Sequence, residues 1–177
     1  MVTISLCMIV KNEERVLGRC LESVQEIADE IIIVDTGSED RTKEIAEKYH
    51  ARVFEQEWQD DFSRARNYSF SQAEMDYCMW LDADDIIMKS EALKLKRWKE
   101  ETDGSSDVVM IRYVAGFDEK RNQTLVYYRE RIVKRDKDFQ WQGRVHETLA
   151  VRGRTEYLDC EIEHHSIKTE YSRRNLE

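Results

Sequence analysis

The stretch Met79-Trp80-Leu81-Asp82-Ala83-Asp84-Asp85 runs from apolar residues into three carboxylates within four positions. We interpret it as a buried strand that delivers acidic side chains to a site. On an extended backbone, Asp82 and Asp84 point to the same side, so the pair is expected to converge on one cation. Mg²⁺ or Mn²⁺ would remove their repulsion, which is about 1 kcal/mol per pair at 4 Å in water. The alternative is an acidic loop in which Asp85 caps the next helix.

Strands and helices alternate in the sequence before this stretch. Runs of aliphatic and β-branched residues predict buried strands over 3–10, 30–34 and 51–54. Apolar residues at helical spacing predict helices over 12–27, with Asn12 as its cap, and over 40–50. This alternation is typical of a parallel sheet covered by helices.

Polar clusters follow three of the predicted strands, at 11–13, 35–38 and 82–85. In open α/β sheets the ligand crevice lies beyond the carboxyl ends of the strands, so we expect the three clusters to share one crevice. A further helix is predicted from Asp60-Asp61 to about residue 74. Its residues Arg66 and Asn67 could reach that crevice.

The second half of the chain alternates polar and apolar residues more than the first half does. It predicts a helix over 90–102, a hairpin-like turn over 118–122, and strands over 108–114, 124–128, 131–134 and 157–163. Alternation favours antiparallel strands. The expected fold is therefore an α/β fold with a mostly parallel central sheet, flanking helices and additional antiparallel strands in the C-terminal half.

Composition limits the function. The chain has 177 residues, 41% hydrophobic and 37% charged, which suits one globular domain. A net charge of −9 argues against a nucleic-acid binder. No apolar run approaches the roughly 18 residues of a membrane span and no cleavable leader is evident, so we expect a cytoplasmic location, with peripheral membrane contact left open. Four scattered cysteines predict neither a zinc ribbon nor a disulfide framework.

Five stretches, taken together and in order, resemble glycosyltransferase family 2, whose members have the GT-A fold. They are Val-Lys-Asn-Glu-Glu at 10–14, Val-Asp-Thr-Gly-Ser-Glu-Asp-Arg-Thr at 34–42, Asp-Phe-Ser-Arg-Ala-Arg-Asn at 61–67, Trp-Leu-Asp-Ala-Asp-Asp at 80–85 and Val-His-Glu at 145–147. The resemblance is strongest to bacterial members that often continue into tetratricopeptide repeats. It implies a GT-A domain over 1–168, with a nucleotide-binding half at about 1–88 and an acceptor half at about 89–168. Residues 169–177 would begin a truncated C-terminal helix.

The resemblance implies a role for each matched position. The residues implied to bind the nucleotide-sugar are Val10, Lys11, Glu13, Asp35, Gly37, Arg66, Asp82 and His146. Asp82 would contact the ribose and the donor sugar, and Asp84 would bind the metal. A late histidine would complete the metal site, and we favour His164 over His165. A carboxylate and imidazole donor set suits Mn²⁺, with Mg²⁺ as the other choice.

The reaction implied by the resemblance is an inverting transfer of a sugar from a nucleotide-sugar, expected to be a UDP-sugar, to an acceptor hydroxyl. The acceptor would be a glycan, a lipid or a protein. A metal would act as a Lewis acid on the diphosphate while a carboxylate takes the acceptor proton. Glu147 is the candidate base and Asp118 is its rival, because many family members place Asp at the base. Alternatively, His146 and Glu147 only structure a loop.

Other functions explain less of the sequence. The single Val34-Asp35-Thr36-Gly37-Ser38 resembles the aspartic-protease signature, which needs two aspartates that share a proton. A phosphotransferase with Asp82 as nucleophile lacks an evident late lysine, and it has Ile86 where Thr or Val is usual. A non-enzymatic sugar-nucleotide-binding or protein-binding module with a degenerate site is the alternative that stays open.

Overall fold

The computed structural model of the protein describes residues 1–166. Over these residues the chain forms an eight-stranded sheet, a two-stranded sheet and four α-helices. The strands are β1 (Ile4–Val10), β2 (Glu30–Asp35), β3 (Arg52–Glu55), β4 (Tyr77–Trp80), β5 (Asp85–Ile86), β6 (Val108–Phe117), β7 (Gln123–Lys134), β8 (Trp141–Gln142), β9 (Thr148–Leu149) and β10 (Thr155–His164). The helices are α1 (Leu17–Val24), α2 (Thr42–Lys48), α3 (Phe62–Ser71) and α4 (Lys89–Glu101). The domain boundary expected at 168 and the helix expected over 169–177 lie outside the described residues.

The large sheet has the strand order β3-β2-β1-β4-β7-β6-β10-β5. β1 is parallel to β2 and β4, and β2 is parallel to β3, so the first half builds a parallel core. β7 is antiparallel to both β4 and β6, and it joins the two halves into one sheet. β10 is parallel to β6 and antiparallel to β5. The expected α/β fold is confirmed, with the parallel β6–β10 pair as one departure from the antiparallel second half.

Helices cover both faces of the parallel core. Leu6 and Met8 of β1 share a buried cluster with Leu17 and Leu21 of α1. Cys7 points to the other face, where the second cluster contains Trp80 and Trp141. A strand that is buried on both faces has a continuous apolar sequence, as β1 does. Among residues 1–166, no helix has the length and hydropathy needed to cross a bilayer.

The first helix starts later than the apolar spacing predicted. α1 begins at Leu17, after Val16 in the N-cap position, and no side chain caps it. The predicted cap, Asn12, has φ 56°, and its Oδ1 accepts a hydrogen bond from the backbone N–H of Glu39 at 2.8 Å. The Asn12 cap is therefore wrong, because this side chain links the loops that follow β1 and β2 instead.

The strands predicted over 124–128 and 131–134 form one continuous strand, β7. Arg129 and Glu130, which lie between the two predicted strands, pair with Ile111 and Met110 of β6. A register shift next to Met110 bends the ladder at this point. The hairpin turn predicted over 118–122 does connect β6 to β7.

Replacing Leu21 by alanine is expected to lower the free energy of unfolding by about 2–5 kcal/mol, because it leaves a cavity under α1. Leu21 is fully buried. Leu93→Ala is the matched control, since Leu93 is 56% exposed on α4 and leaves no cavity. Urea unfolding of the two variants measures the difference. Equal losses would contradict this description of the core.

Candidate active site

A cleft opens where β1, β2 and β4 end, as expected from the polar clusters that follow the predicted strands. Its volume is about 230 Å³. It is lined by Ile9, Val10, Lys11, Glu13, Thr36, Trp58, Phe62, Arg66, Asp82, Ala83 and Asp84. Six of the residues implied by the family resemblance are in this lining. The ends of parallel strands therefore bring together residues that are up to 75 positions apart in the chain.

The loops after β1 and β2 are joined by hydrogen bonds. Thr36 donates its backbone N–H to the carbonyl of Val10 at 3.0 Å, and its hydroxyl donates to the same oxygen at 3.2 Å. The backbone N–H of Asn12 donates to Ser38 Oγ at 2.9 Å. The N–H of Glu13 donates to Thr42 Oγ1 at 2.7 Å. One wall of the cleft is therefore built by contacts between the two loops.

Asp35 lies beneath this wall and is 1% exposed. Its Oδ1 accepts the backbone N–H groups of Gly37 at 3.0 Å and Ser38 at 2.8 Å. Its Oδ2 is buried and has no hydrogen-bond partner within residues 1–166. Gly37 has φ +105°, a conformation that residues with a Cβ rarely adopt. The turn thus orients a buried carboxylate that keeps one free acceptor oxygen.

Arg66 of α3 holds two carboxylates from distant parts of the chain. Its Nη2 is 2.7 Å from Asp82 Oδ1 and its Nε is 2.7 Å from Glu147 Oε1. The guanidinium carbon lies 5.0 Å from the ring centroid of Trp80 and 4.8 Å from that of Trp141. The two indole rings exclude water from the arginine and add cation–π attraction. Arg66 is only 6% exposed, so it is a fixed part of the site.

The acids at 82–85 do not continue the strand. β4 ends at Trp80, and the turn that follows directs Asp82 to Arg66 and Asp84 to His164. An extended backbone was predicted to point the side chains of Asp82 and Asp84 to the same side. That geometry is wrong, because the backbone turns after β4 and the two side chains have different partners. The Asp85 helix cap is wrong too, because Asp85 belongs to β5 and α4 begins at Lys89 after Met88.

Asp84, Asp85 and His164 form a group that could hold a metal ion. One ligand atom from each residue lies within 4.8 Å of the others. His164 Nδ1 is 3.4 Å from an oxygen of each aspartate. Two carboxylates and an imidazole fit Mn²⁺, and two carboxylates fit Mg²⁺. The neighbouring His165 Nε2 is 2.6 Å from Glu163 instead, and its backbone N–H donates to the carbonyl of Asp84 at 2.8 Å.

The charge environment differs among these groups. Burial and the charges of Asp85 and Asp82 raise the pKa of Asp84, against the lowering effect of His164. The hydrogen bond to Asp85 raises the pKa of His164, together with the charges of the three aspartates. Burial disfavours the charged form of Asp82, but Arg66 and Arg131 outweigh it and hold the pKa of Asp82 below its usual value.

The remaining candidates lie outside the cleft lining. Glu147 is held by Arg66 and its side chain is 13% exposed, whereas His146 is exposed and has φ 56°. Asp118 lies at the exposed tip of the β6–β7 hairpin. Its carboxylate accepts hydrogen bonds from Asn122 and from the backbone N–H of Lys120, which lower its pKa. The structure thus joins Glu147 to the site through Arg66 and places Asp118 in a turn. Which of them acts as the base stays a prediction.

Sequence reasoning missed several residues of the site. Trp58 and Phe62 line the cleft with their rings in an edge-to-face contact, 4.8 Å between centroids. Their signal was two aromatic residues in an otherwise polar stretch, 55–64. Arg131 is fully buried beside Asp85. A lone arginine at the start of the apolar run Arg131-Ile132-Val133 was the available signal.

The family model for glycosyl transferase family 2 matches residues 5–154, and the chain belongs to this family. Residues of the chain are 36% identical over 150 positions to a TPR repeat-containing protein of Synechococcus elongatus, covering 84% of this chain and 36% of that protein. They are 28% identical over 148 positions to the SPbeta prophage-derived glycosyltransferase SunS of Bacillus subtilis, covering 82% and 34%. The chain thus spans about a third of the length of these relatives.

The fold is shared with S. aureus TarS. The crystal structure of TarS 1–349 in complex with UDP-GlcNAc superposes with a TM-score of 0.70 at 19% identity, over 97% of this chain and 60% of that one. Identity at this level shows a common fold. The expected GT-A fold and the resemblance to glycosyltransferase family 2 are both confirmed.

Arg66→Leu is expected to lower the free energy of unfolding by about 3 kcal/mol, because the largely buried Glu147 loses its only close cation among residues 1–166. Arg41→Leu is the control, because the Arg41–Glu14 pair lies on the surface with the arginine side chain 75% exposed. The Arg41→Leu variant is expected to lose under about 1 kcal/mol of unfolding free energy. Urea unfolding distinguishes the two, and similar losses would show that Arg66 is not a structural clamp.

Glu13 makes the stability of the protein depend on pH. Burial, followed by the charge of Asp84, raises its pKa from 4.5 to about 7. The folded state therefore binds the proton more tightly than the unfolded state, and the free energy of unfolding should fall as pH rises from about 4.5 to about 7. Glu13→Gln should reduce that fall, whereas Glu22→Gln, at an exposed position of α1, should not. Urea unfolding across this pH range is the measurement. A Glu13→Gln profile parallel to that of the wild type would refute the raised pKa.

Proposed function

We propose that this domain transfers a sugar from a UDP-sugar to an acceptor hydroxyl, with inversion at the anomeric carbon and with a divalent metal at Asp84 and His164. The observation that carries the proposal is that Asp82, held by Arg66, and Asp84, which groups with Asp85 and His164, line the same cleft as the loops that follow β1 and β2. The UDP-GlcNAc complex of TarS, which has the same fold, supports a UDP-sugar as donor. Manganese is the preferred ion because the donor set includes an imidazole.

The cleft offers matching contacts for a nucleoside. Behind the cleft wall, the buried Asp35 Oδ2 has no partner among the described residues, and we propose that it accepts an N–H from a base or a hydroxyl from a ribose. The rings of Trp58 and Phe62 at the cleft wall can stack on a base. Asp82 is held by Arg66 with its side chain 40% exposed, so it can accept hydrogen bonds from sugar hydroxyls without moving.

The two carboxylates proposed to act on the transferred sugar, Asp82 and Glu147, are both held by Arg66. A bound metal would neutralise charge on the diphosphate as UDP leaves. Asp82 carries negative charge toward the donor, which favours an oxocarbenium-like transition state. Glu147 takes the proton of the attacking hydroxyl, and Arg66 keeps its carboxylate in place. The acceptor in this proposal is a hydroxyl of a glycan, a lipid or a protein, and the cytoplasmic location stays a prediction from the sequence.

Calorimetry with Mn²⁺ and a panel of UDP-sugars, together with slow UDP release, tests the proposal. Wild type should bind at least one donor, and Asp84→Ala should lose the metal-dependent part of that binding. Glu147→Gln should keep the binding but lose about 100-fold to 10,000-fold in turnover, the usual effect of a general base. The controls are Asp136→Ala and Glu119→Gln, which change exposed carboxyls outside the cleft.

Each failure has a separate meaning. Binding of no UDP-sugar, with or without Mn²⁺, would overturn the transferase proposal. Donor binding with no turnover by the wild type would favour the binding-module alternative. Turnover that survives Glu147→Gln and is lost in Asp118→Asn would move the base to the hairpin tip.

A further inference from the structure

Arg131 is a buried charge that the proposed chemistry does not use. It lies in β7, and both the residue and its partner Asp85 are fully buried. Its Nη1 donates to Asp85 Oδ2 at 2.9 Å and to the carbonyl of Trp80 at 3.3 Å. Placing a guanidinium and a carboxylate in the interior costs several kcal/mol per ion unless the pair is well oriented. Because burial of this pair is costly and the pair lies at the edge of the site, we expect the pair to have a role in the site.

The shape of the surrounding pocket fits arginine in particular. The guanidinium carbon lies 3.8 Å from the ring centroid of Trp80 and 4.2 Å from that of Tyr113. Nε and Nη2 have no hydrogen-bond partner in the described part of the chain. A flat, weakly hydrated guanidinium stacks on these rings, whereas the compact, strongly hydrated ammonium of lysine does not stack and loses more on leaving water. Aromatic contacts and one ion pair together fix the position of Arg131.

Asp85 in turn uses both of its oxygens on protein donors. Oδ2 accepts from Arg131 and from the backbone N–H of Asp82 at 3.0 Å. Oδ1 accepts the Tyr113 hydroxyl at 2.9 Å and lies 3.4 Å from His164 Nδ1. Asp84 differs, because its side chain is 25% exposed and lines the cleft. Asp84 is therefore the open carboxylate of the pair, and Asp85 is the occupied one.

We propose that Arg131 is a positioning residue for the metal site. Held by Arg131 and Tyr113, Asp85 orients His164 and the Asp82–Asp85 turn instead of binding the ion itself. A histidine that donates one ring N–H to a carboxylate keeps its other nitrogen for a metal, and loss of such an outer partner typically weakens metal binding by about 10-fold to 100-fold. The inference rests on the proposed function, since it takes Asp84 and His164 as the metal ligands.

Mn²⁺ binding without nucleotide, followed by the electron paramagnetic resonance signal of free Mn²⁺, tests this role apart from activity. Arg131→Lys keeps the charge but loses the flat stack, and it should bind Mn²⁺ about 10-fold to 100-fold more weakly than wild type. Tyr113→Phe removes one hydrogen bond to Asp85 and should weaken binding in the same direction. Each protein is first shown by circular dichroism to be folded at the temperature of the assay.

Lys99→Met is the matched control for lost stability. Lys99 is also a buried cation, whose Nζ lies 2.6 Å from Asp29 and donates to the carbonyl of Ile27 at 3.0 Å, away from the acidic turn. It should lose stability but keep wild-type Mn²⁺ affinity.

Wild-type affinity in Tyr113→Phe and in a folded Arg131→Lys would overturn the inference, and so would an equal loss in Lys99→Met. If Arg131→Lys does not fold, Tyr113→Phe decides alone. A wild type that binds no Mn²⁺ would overturn the metal assignment of the proposed function, and the inference with it. A failure confined to the variants would overturn the inference only.

Discussion

The structure of the site depends on buried arginines that balance the charge of the carboxylates at the end of the sheet. Asp82, Asp84 and Asp85 follow β4, and Glu147 comes from a distant loop. Two buried arginines provide the opposing charges, Arg66 for Asp82 and Glu147, and Arg131 for Asp85. Their guanidinium groups both lie against the ring of Trp80, which keeps them dry and oriented. Without these two cations the acids would repel one another in an environment that screens poorly.

This arrangement gives the three aspartates different environments. Asp85 is fully paired inside the protein, whereas Asp84 has a raised pKa and no arginine partner among residues 1–166, so a cation would stabilise Asp84 most. Arg66 and Arg131 hold the pKa of Asp82 below its usual value, and Arg66 fixes the position of its carboxylate. A phosphotransferase nucleophile at Asp82 fits poorly, because its carboxylate is already bound to that arginine. An aspartic-protease site would need a second aspartate facing Asp35, whose Oδ1 is instead used by its own turn.

Local patterns predicted the fold well because the parallel core depends on them. Continuous apolar runs marked β1 and β2, and the polar residues after each run marked the edge where the cleft forms. Sequence patterns gave wrong predictions at positions where contacts between distant residues determine the structure. Asn12 looked like a helix cap but links two loops, and Arg129-Glu130 lay between two predicted strands but stays in the ladder. Spacing along the chain carries no information about such distant partners.

The candidate site was predicted only in part, because several of its contacts join residues that are distant in the sequence. Resemblance to the family placed Val10, Glu13, Arg66 and Asp84 in the cleft, and the structure brings them together there. It could not show that Arg66 joins Asp82 to Glu147, since these partners are 16 and 81 positions away from it. Nor could it separate Asp84 from Asp85. That difference arises from burial and from Arg131, which comes 46 positions after Asp85.

The most direct test of the central claim is the position of Mn²⁺ in crystals soaked with Mn²⁺ and UDP, measured by anomalous scattering. We expect one peak in contact with Asp84 and His164, with Asp85 still bound to Arg131 and the uracil and ribose in the cleft beside Asp35. A peak elsewhere, or UDP bound in the cleft with no ion at Asp84, would contradict it.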